Sequence, residues 1–276
     1  MIITALGFSL LGLVVCISSI AIYMLKVKRG NTPVVPIGLT SSLAVAIALA
    51  LYSLFLAIPG PIFSALLVSI IAAVTLLMSI KILHMRAQKC QPMGLMTVSV
   101  GDKTLPFETT TFDGKLFSSH ELDGKRLLIK FYRGSWCPYC SVELGMLEEI
   151  QPELAKYGIQ IIALSSDQID DAKAHRKRDG LSLKLLSDPE LKVIRQYGIE
   201  HIQALAGVSS TIKSMLGLPF PTSMERRSIA IPTSLLVDEH GVVQWIDQSE
   251  DYRLRADSEL VMEQVVKAFG ELPKSP

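Results

Sequence analysis

Between Gly30 and Ile80 the chain carries no charged side chain. A run of this length and polarity leaves few folds open. A bilayer core about 30 Å thick is crossed by about 20 apolar residues rising about 1.5 Å each, so the run is too long for one span and suited to two. Pro59-Gly60-Pro61 supplies the break, because proline cannot continue a helix and glycine permits a tight reversal. Together with the apolar segment before it, this predicts three membrane-spanning helices, about 2–25, 36–58 and 61–80, the last two forming a hairpin with almost no loop. The first segment does not read as a cleaved signal peptide: it lacks a basic start, its apolar run is too long, and two more spans follow.

Charge divides the chain sharply. No acidic residue occurs from Met1 to Gly101, where the only Lys and Arg are Lys26, Lys28, Arg29, Lys81, Arg86 and Lys89. The remainder carries 26 acidic against 21 basic residues, so the formal net charge of +1 is the sum of a basic anchor and an acidic domain. An acidic domain without a basic patch argues against nucleic acid as a partner; membrane lipid is the expected one. The two basic clusters are separated by two spans and must share one side of the membrane. Lys and Arg favour the cytoplasmic side, which predicts a multi-pass cell-membrane protein with its C-terminal domain in the cytoplasm. The opposing consideration is that disulfides persist outside the cytoplasm, so a periplasmic domain is the alternative. No span carries an ionisable residue at mid-depth or paired cysteines, so a plain anchor is expected rather than a transport path.

The division sets the expected domains: a transmembrane anchor at 1–83, a linker at 84–100, and an α/β domain at 101–272. Within the last, Leu105–Phe117 alternates around Asp113-Gly114 as a hairpin does. Arg126–Arg133 and Ile159–Ser165 read as buried strands, with a helix over Cys137–Tyr157 between them that contains Pro152. A charged helix over Asp167–Arg178, a short strand at Leu183–Leu186 and a helix at Glu190–Tyr197 follow. A Gly- and Pro-containing stretch then runs to Arg227. Ile229–Val237 and Val242–Ile246 read as a hairpin across Asp238–Gly241, and Ser258–Phe269 as the closing helix. This order predicts a mixed sheet with helices on both faces. The run Asp170–Asp179, His175 included, reads as a solvated helix face.

Four cysteines, Cys16, Cys90, Cys137 and Cys140, make no disulfide scaffold in 276 residues, so spacing matters more than number. Cys16 reads as a buried apolar residue of a span and Cys90 as an incidental thiol near the membrane. Cys137-Pro138-Tyr139-Cys140 falls where a buried strand turns into a helix. The thiolate is the nucleophile, and a free cysteine with a pKa of about 8.5 is mostly protonated at neutral pH. A helix start, with unpaired N–H groups and a positive dipole end, favours the anion. Cys137 is therefore expected as the first helical residue and the exposed attacker, and Cys140, one turn further in, as the resolving thiol. Pro138 fits the first turn, where its missing N–H costs nothing. Half a zinc site is the competing reading, but zinc needs four ligands, there is no second Cys pair, and the five histidines are scattered. No metal and no cofactor are expected.

These residues carry a resemblance. Trp136-Cys137-Pro138-Tyr139-Cys140 after a strand resembles the thioredoxin active site, and Ile231-Pro232-Thr233 before a strand resembles the cis-proline segment of that fold. Phe131-Tyr132-Arg133-Gly134 and Asp251-Tyr252-Arg253-Leu254-Arg255 resemble the peroxiredoxin-like AhpC/TSA family (alkyl hydroperoxide reductase and thiol-specific antioxidant). The resemblance covers about 101–272 and implies a thioredoxin-like sheet. It also implies a cis peptide before Pro232, facing the cysteines and presenting backbone to a substrate. There are departures. Peroxiredoxins place Thr or Ser three residues before the reactive cysteine, where Gly134 stands here with Ser135 one place late. Their peroxide-activating arginine falls where Pro232 stands; Arg133, Arg226 and Arg227 are candidate substitutes. Thioredoxins have a proton-transferring aspartate six residues before the first cysteine, where this chain has Phe131.

Glu143 is a candidate replacement for that aspartate. It lies one turn beyond Cys140, on the stripe of Leu147, Ile150 and Leu154. A carboxyl on a core face has a raised pKa and is suited to take the proton from Cys140; a glutamate at the stripe's edge reaching water is the blander reading. Trp136 is expected to shield the thiolate or simply to pack. The expected activity is that of a membrane-anchored antioxidant protein exchanging a Cys137–Cys140 dithiol with a protein disulfide, with a thioredoxin-like or small-thiol reductant. Hydroperoxide reduction is the alternative within this chemistry, and a non-catalytic membrane redox sensor is the alternative outside it.

Overall fold

The computed structural model describes residues 1–93, 96–202, 204 and 228–272, with the backbone of 214–215 and 218–219. Most of the Gly- and Pro-containing stretch, with Arg226 and Arg227, lies outside the described residues. The chain divides into two compact units, Met1–Lys89 and Cys90–Pro276.

The first unit is three helices, α1 (Ile2–Lys28), α2 (Ile37–Ala57) and α3 (Ile62–Ala87), each long and apolar enough to cross a membrane. Pro59-Gly60-Pro61 separates α2 from α3 as expected, while α3 continues through Ala87 into the segment expected as linker. Their packing inverts the pattern of a water-soluble bundle. Small residues face inward, with Ala5, Ser9, Gly12 and Cys16 buried along α1, and Ala72, Thr75 and Ser79 along α3. Large apolar residues such as Leu11, Val14, Phe55 and Leu77 point outward. In lipid an outward leucine loses nothing, and close backbone approach supplies the contacts. A Cβ on Gly12 would stand 3.2 Å from the Ala46 carbonyl oxygen. The buried Ser53 and Thr75 hydroxyls satisfy themselves on their own helices, donating to the Ala50 carbonyl at 2.7 Å and to that of Ile71 at 3.0 Å, as groups without water must.

The second unit is built on a seven-stranded sheet. Its strands are β1 (Glu108–Thr111), β2 (Leu116–Ser118), β3 (Arg126–Phe131), β4 (Ile159–Ser165), β5 (Lys184–Ser187), β10 (Thr233–Val237) and β11 (Val243–Gln248), in the order β11-β10-β3-β4-β5-β1-β2. Small two-residue ladders use β6 (Glu200–His201) with β9 (Ile229–Ala230), and β7 (Ser214–Met215) with β8 (Leu218–Pro219). Helices α4 (Pro138–Lys156), α5 (Ile169–Asp179), α6 (Lys192–Gln196) and α7 (Ser258–Phe269) complete it. Strands β3, β4 and β5 are parallel, joined by helical crossovers, and β10 runs antiparallel to β3. This is the mixed sheet flanked by helices that the order of elements implied, in the thioredoxin-like arrangement that the resemblance implied.

Alternation divides the buried side chains between two cores. Leu127, Ile129 and Phe131 of β3 join Ile162, Leu164, Leu235 and Val237 on one face. Leu128 joins Leu144, Leu147, Ile161 and Leu236 on the other, the face covered by α4 and α7. Lys130 falls on that same inward set and is fully buried, as is Ser234 beside it in register. The strand expected over Ile229–Val237 is interrupted at Ile231-Pro232, and the bond before Pro232 is trans, correcting the expected cis peptide. The chain reaches β10 already extended: Ile229–Ala230 is paired with β6, and the Ile231 N–H donates to the Ile199 carbonyl at 2.7 Å. Nothing forces the isomer that is about 0.5–1 kcal/mol less favourable.

Helix α4 carries its weight through Leu144, Leu147 and Leu154, all buried. Leu144→Ala should therefore lower the unfolding free energy by about 2–5 kcal/mol, while Glu149→Ala on the exposed side of the same helix should change it by under about 0.5 kcal/mol. Urea unfolding followed by tryptophan fluorescence distinguishes the two.

Candidate active site

The site forms where β3 ends at the edge of the α4 face. A turn over Gly134–Cys137, closed by the Cys137 N–H donating to the Gly134 carbonyl at 3.1 Å, leads into α4. Cys137 is the N-cap residue, with extended backbone (φ −90°, ψ 114°), and Pro138 is the first helical residue. This shifts the expected start of the helix by one position. The Cys137 carbonyl accepts from the N–H groups of Cys140 and Ser141, both at 3.1 Å.

Both thiols are reduced and buried, Cys137 at 1 % and Cys140 at 0 % exposure. The expected exposed attacker is thus corrected: Cys137 sits inside the core with Trp136, Leu144, Leu236 and Ala256. The two thiols are electrostatically unlike. Burial pushes the Cys137 thiol up, but a hydrogen bond from Cys140 and the Arg133 and Arg255 guanidinium groups outweigh it and bring the pKa to about 6. Cys140 goes the other way. Burial, its bond to Cys137, and the negative charges of Cys137 and Glu143 hold its thiol well above the ordinary value, against the pull of Arg255. The two thiols of one helical turn are thus shifted in opposite directions.

Glu143 is buried, not at a wet edge. Its two oxygens are taken by two cations, Oε1 by Lys130 Nζ at 2.5 Å and Oε2 by Arg255 Nε at 3.0 Å. Lys130 also donates to Ser234 Oγ at 3.0 Å. The lone carboxyl in an apolar setting that the sequence implied is instead the centre of an ion triad. Arg133 is buried, its guanidinium 4.0 Å from the ring centroid of Tyr252 and 5.4 Å from that of Trp136. Tyr252 also meets Tyr139 edge-on, with centroids 5.8 Å apart. Trp136, 2 % exposed, packs in the core under Arg133. Pro232 is buried directly before Thr233, which pairs with Phe131, and so stands at the same end of the sheet as the turn.

Sequence reasoning missed Lys130, Arg255 and Asp167. Lys130 left a signal: a lysine at an inward position of a buried strand is tolerated only when paired. Asp167, after β4, is buried and accepts from the Ser135 N–H at 2.7 Å. Burial lifts its pKa to about 6, against the opposing influence of His175 and the Ser135 N–H. The same carboxylate explains Gly134. A Cβ there would lie 2.8 Å from Asp167 Oδ1 and 2.6 Å from Trp136 Nε1, on a backbone with φ +143°, so neither Thr nor Ser fits.

The AhpC/TSA family model matches residues 100–246. Thiol-disulfide oxidoreductase ResA from Bacillus anthracis is 31 % identical over 103 residues, which is 37 % of this chain and 59 % of that protein. ResA from Halalkalibacterium halodurans is 25 % identical over 175 residues, 63 % of this chain and 77 % of that one. Peroxiredoxin Bcp from Escherichia coli K12 is 28 % identical over 102 residues, covering 37 % of this chain and 65 % of that protein. For two of these three relatives the match spans less than two thirds of their length. Among solved structures, Enterococcus faecalis AhpC aligns at 19 % identity with a TM-score of 0.47, over 64 % of this chain and 98 % of that one.

The low pKa of Cys137 has a direct reading. In the reduced protein, its alkylation rate should rise with pH to half its maximum near pH 6, where an ordinary cysteine reaches half near about 8.5. Mass spectrometry of the Cys137 peptide after timed iodoacetamide pulses measures this; a midpoint near that of an ordinary thiol would contradict the electrostatics described.

Proposed function

Because this chain belongs to the AhpC/TSA family over the part that carries both cysteines, we propose that it is a thiol-dependent oxidoreductase whose Cys137–Cys140 dithiol reduces disulfides. The observation that carries this reading is the split of the two thiols, one lowered to about 6 and its partner held up. The Cys137 thiolate attacks a substrate disulfide, forming a mixed disulfide and releasing one substrate thiolate. Cys140 then gives up its proton and attacks Cys137 Sγ, releasing the second substrate thiolate and closing the Cys137–Cys140 disulfide. Two electrons pass to the substrate, and a thioredoxin-like or small-thiol reductant returns them. Resolution is fast because it is intramolecular.

The other side chains divide this work. Arg133 and Arg255 stabilise the Cys137 thiolate. Glu143 anchors Arg255 rather than accepting the Cys140 proton, since both its oxygens are already engaged. Trp136 packs with the cysteines, and Pro232, at the same end of the sheet as their turn, is assigned the presentation of backbone to substrate without a cis bond. One observation favours hydroperoxide reduction as a second reading: Arg133 Nε is buried with no hydrogen-bond partner among the described residues, and peroxide cleavage needs a donor for the departing oxyanion. Gly134 and Pro232 stand where peroxidases of this family carry such donors, so disulfides remain the favoured substrate.

Residues 1–83 form the lipid-embedded anchor in this reading, 84–100 the connection and 101–272 the redox domain. Six Lys and Arg on one side of the three spans and none on the other support a cytoplasmic redox domain, whose role there would be to keep thiols reduced.

Two experiments test the reading. Cys137→Ser should abolish turnover with a model protein disulfide, while Cys140→Ser should accumulate a mixed disulfide on Cys137. Equal residual activity in both variants would refute the mechanism, and absence of any turnover in the parent protein would favour a sensor. A hydroperoxide rate constant well above that for disulfides, lost in Arg133→Met, would establish the peroxidase instead. For sidedness, a reporter fused after Pro276 should be active only if it folds in the cytoplasm; activity confined to a periplasmic reporter would move the domain outside.

A further inference from the structure

We propose that Asp167 and Arg178 are positioning residues for the Cys137 thiolate, gripping Ser135 by its amide and its carbonyl and tying the turn before Cys137 to the helix after it. The Asp167 carboxylate takes the Ser135 N–H at 2.7 Å from one side. From the other, Arg178 Nη2 donates to the Ser135 carbonyl at 3.0 Å and to Ser141 Oγ at 3.0 Å. Ser135 lies inside the turn that the Cys137 N–H closes, and the Ser141 N–H donates to the Cys137 carbonyl. A single guanidinium thus spans the motif, one anchor lying inside the turn that the Cys137 N–H closes on Gly134 and the other bonded to the Cys137 carbonyl.

The grip is itself braced. Arg178 Nε is fixed by Asp179 Oδ1 at 2.6 Å. Asp179 also pairs with His175 Nε2 at 3.1 Å, and that nitrogen lies 3.4 Å from Ser141 Oγ. His175 is fully buried against the Tyr132 ring, with centroids 5.7 Å apart. The charged run over 170–179, expected as a solvated face, is on this side a clamp on the cysteine turn. Its use follows from the N-cap position of Cys137. The Cys140 thiol and backbone N–H that favour the Cys137 thiolate keep their aim only while turn and helix keep their mutual geometry, because interactions at a helix start fade within about one turn.

The proposal rests on the reading of Cys137 as the attacking sulfur, but its test needs no turnover. In the full-length, reduced protein, the pH midpoint of Cys137 alkylation should rise in Asp167→Ala and Arg178→Met. A rise of half a pH unit slows alkylation at pH 5 by about threefold. Asp167→Asn, which keeps an acceptor for the Ser135 N–H, should stay near the parent value. Arg178→Lys, whose point-like ammonium cannot reproduce the bridge, should not. Lys177→Met, on the exposed side of α5, serves as control. Should Asp167→Ala fail to fold, Arg178→Met and Ser141→Ala carry the test, the latter removing only the far anchor. An unshifted midpoint in both overturns the proposal, and so does an equal shift in Lys177→Met. A parent protein without disulfide turnover would instead count against the proposed function and leave this measurement standing.

Discussion

A carboxylate is buried behind the cysteines, and much of the second unit is arranged around it. Moving an ion from water into a protein interior costs several kcal/mol even after relaxation, and only well-placed partners repay it. Glu143 on α4 has two, Lys130 from β3 and Arg255 from the segment after β11. Lys130 in turn needs Ser234, which stands opposite it on β10. The pairing of β10 with β3, the seating of α4 on the sheet and the path of 251–256 are therefore satisfied together. An apolar core of the same volume would tolerate small slips of α4; a charged triad with fixed hydrogen-bond lengths does not.

That constraint reaches the thiols because they ride on the first turn of the same helix. Arg255 is held by Glu143 and acts on both cysteines, while Glu143 raises Cys140. Arg133, pinned between the Tyr252 and Trp136 rings, acts on Cys137. Two chemically identical side chains three residues apart are thereby pushed in opposite directions, which is what a two-step exchange requires of its attacker and its resolver.

The first unit packs by the opposite pattern. Small residues dominate its buried faces and most large apolar ones lie outside, the arrangement expected where lipid removes the hydrophobic drive to bury leucine and van der Waals contact chooses the interface. The Ser79 hydroxyl donates to Cys16 Sγ at 3.5 Å between α3 and α1.

What the sequence determined by itself was whatever depends on near neighbours. The charge-free run from Gly30 to Ile80 dictated helices long and apolar enough to cross a membrane. An apolar run marked β4 and the closing helix α7 was read at its observed bounds, and Cys-Pro-Tyr-Cys at a strand–helix junction announced thiol chemistry. Tertiary structure alone decided which charges were buried and what they touched. Glu143 meets Arg255 across 112 positions, and Ser135 meets Asp167 across 32. The burial of Cys137 and His175, the grip on Ser135 and the trans bond before Pro232 arise in the same way. The physical reason is that propensity and periodicity act over a turn or a strand, whereas the cost of a buried charge is settled only by groups that the completed fold brings to it.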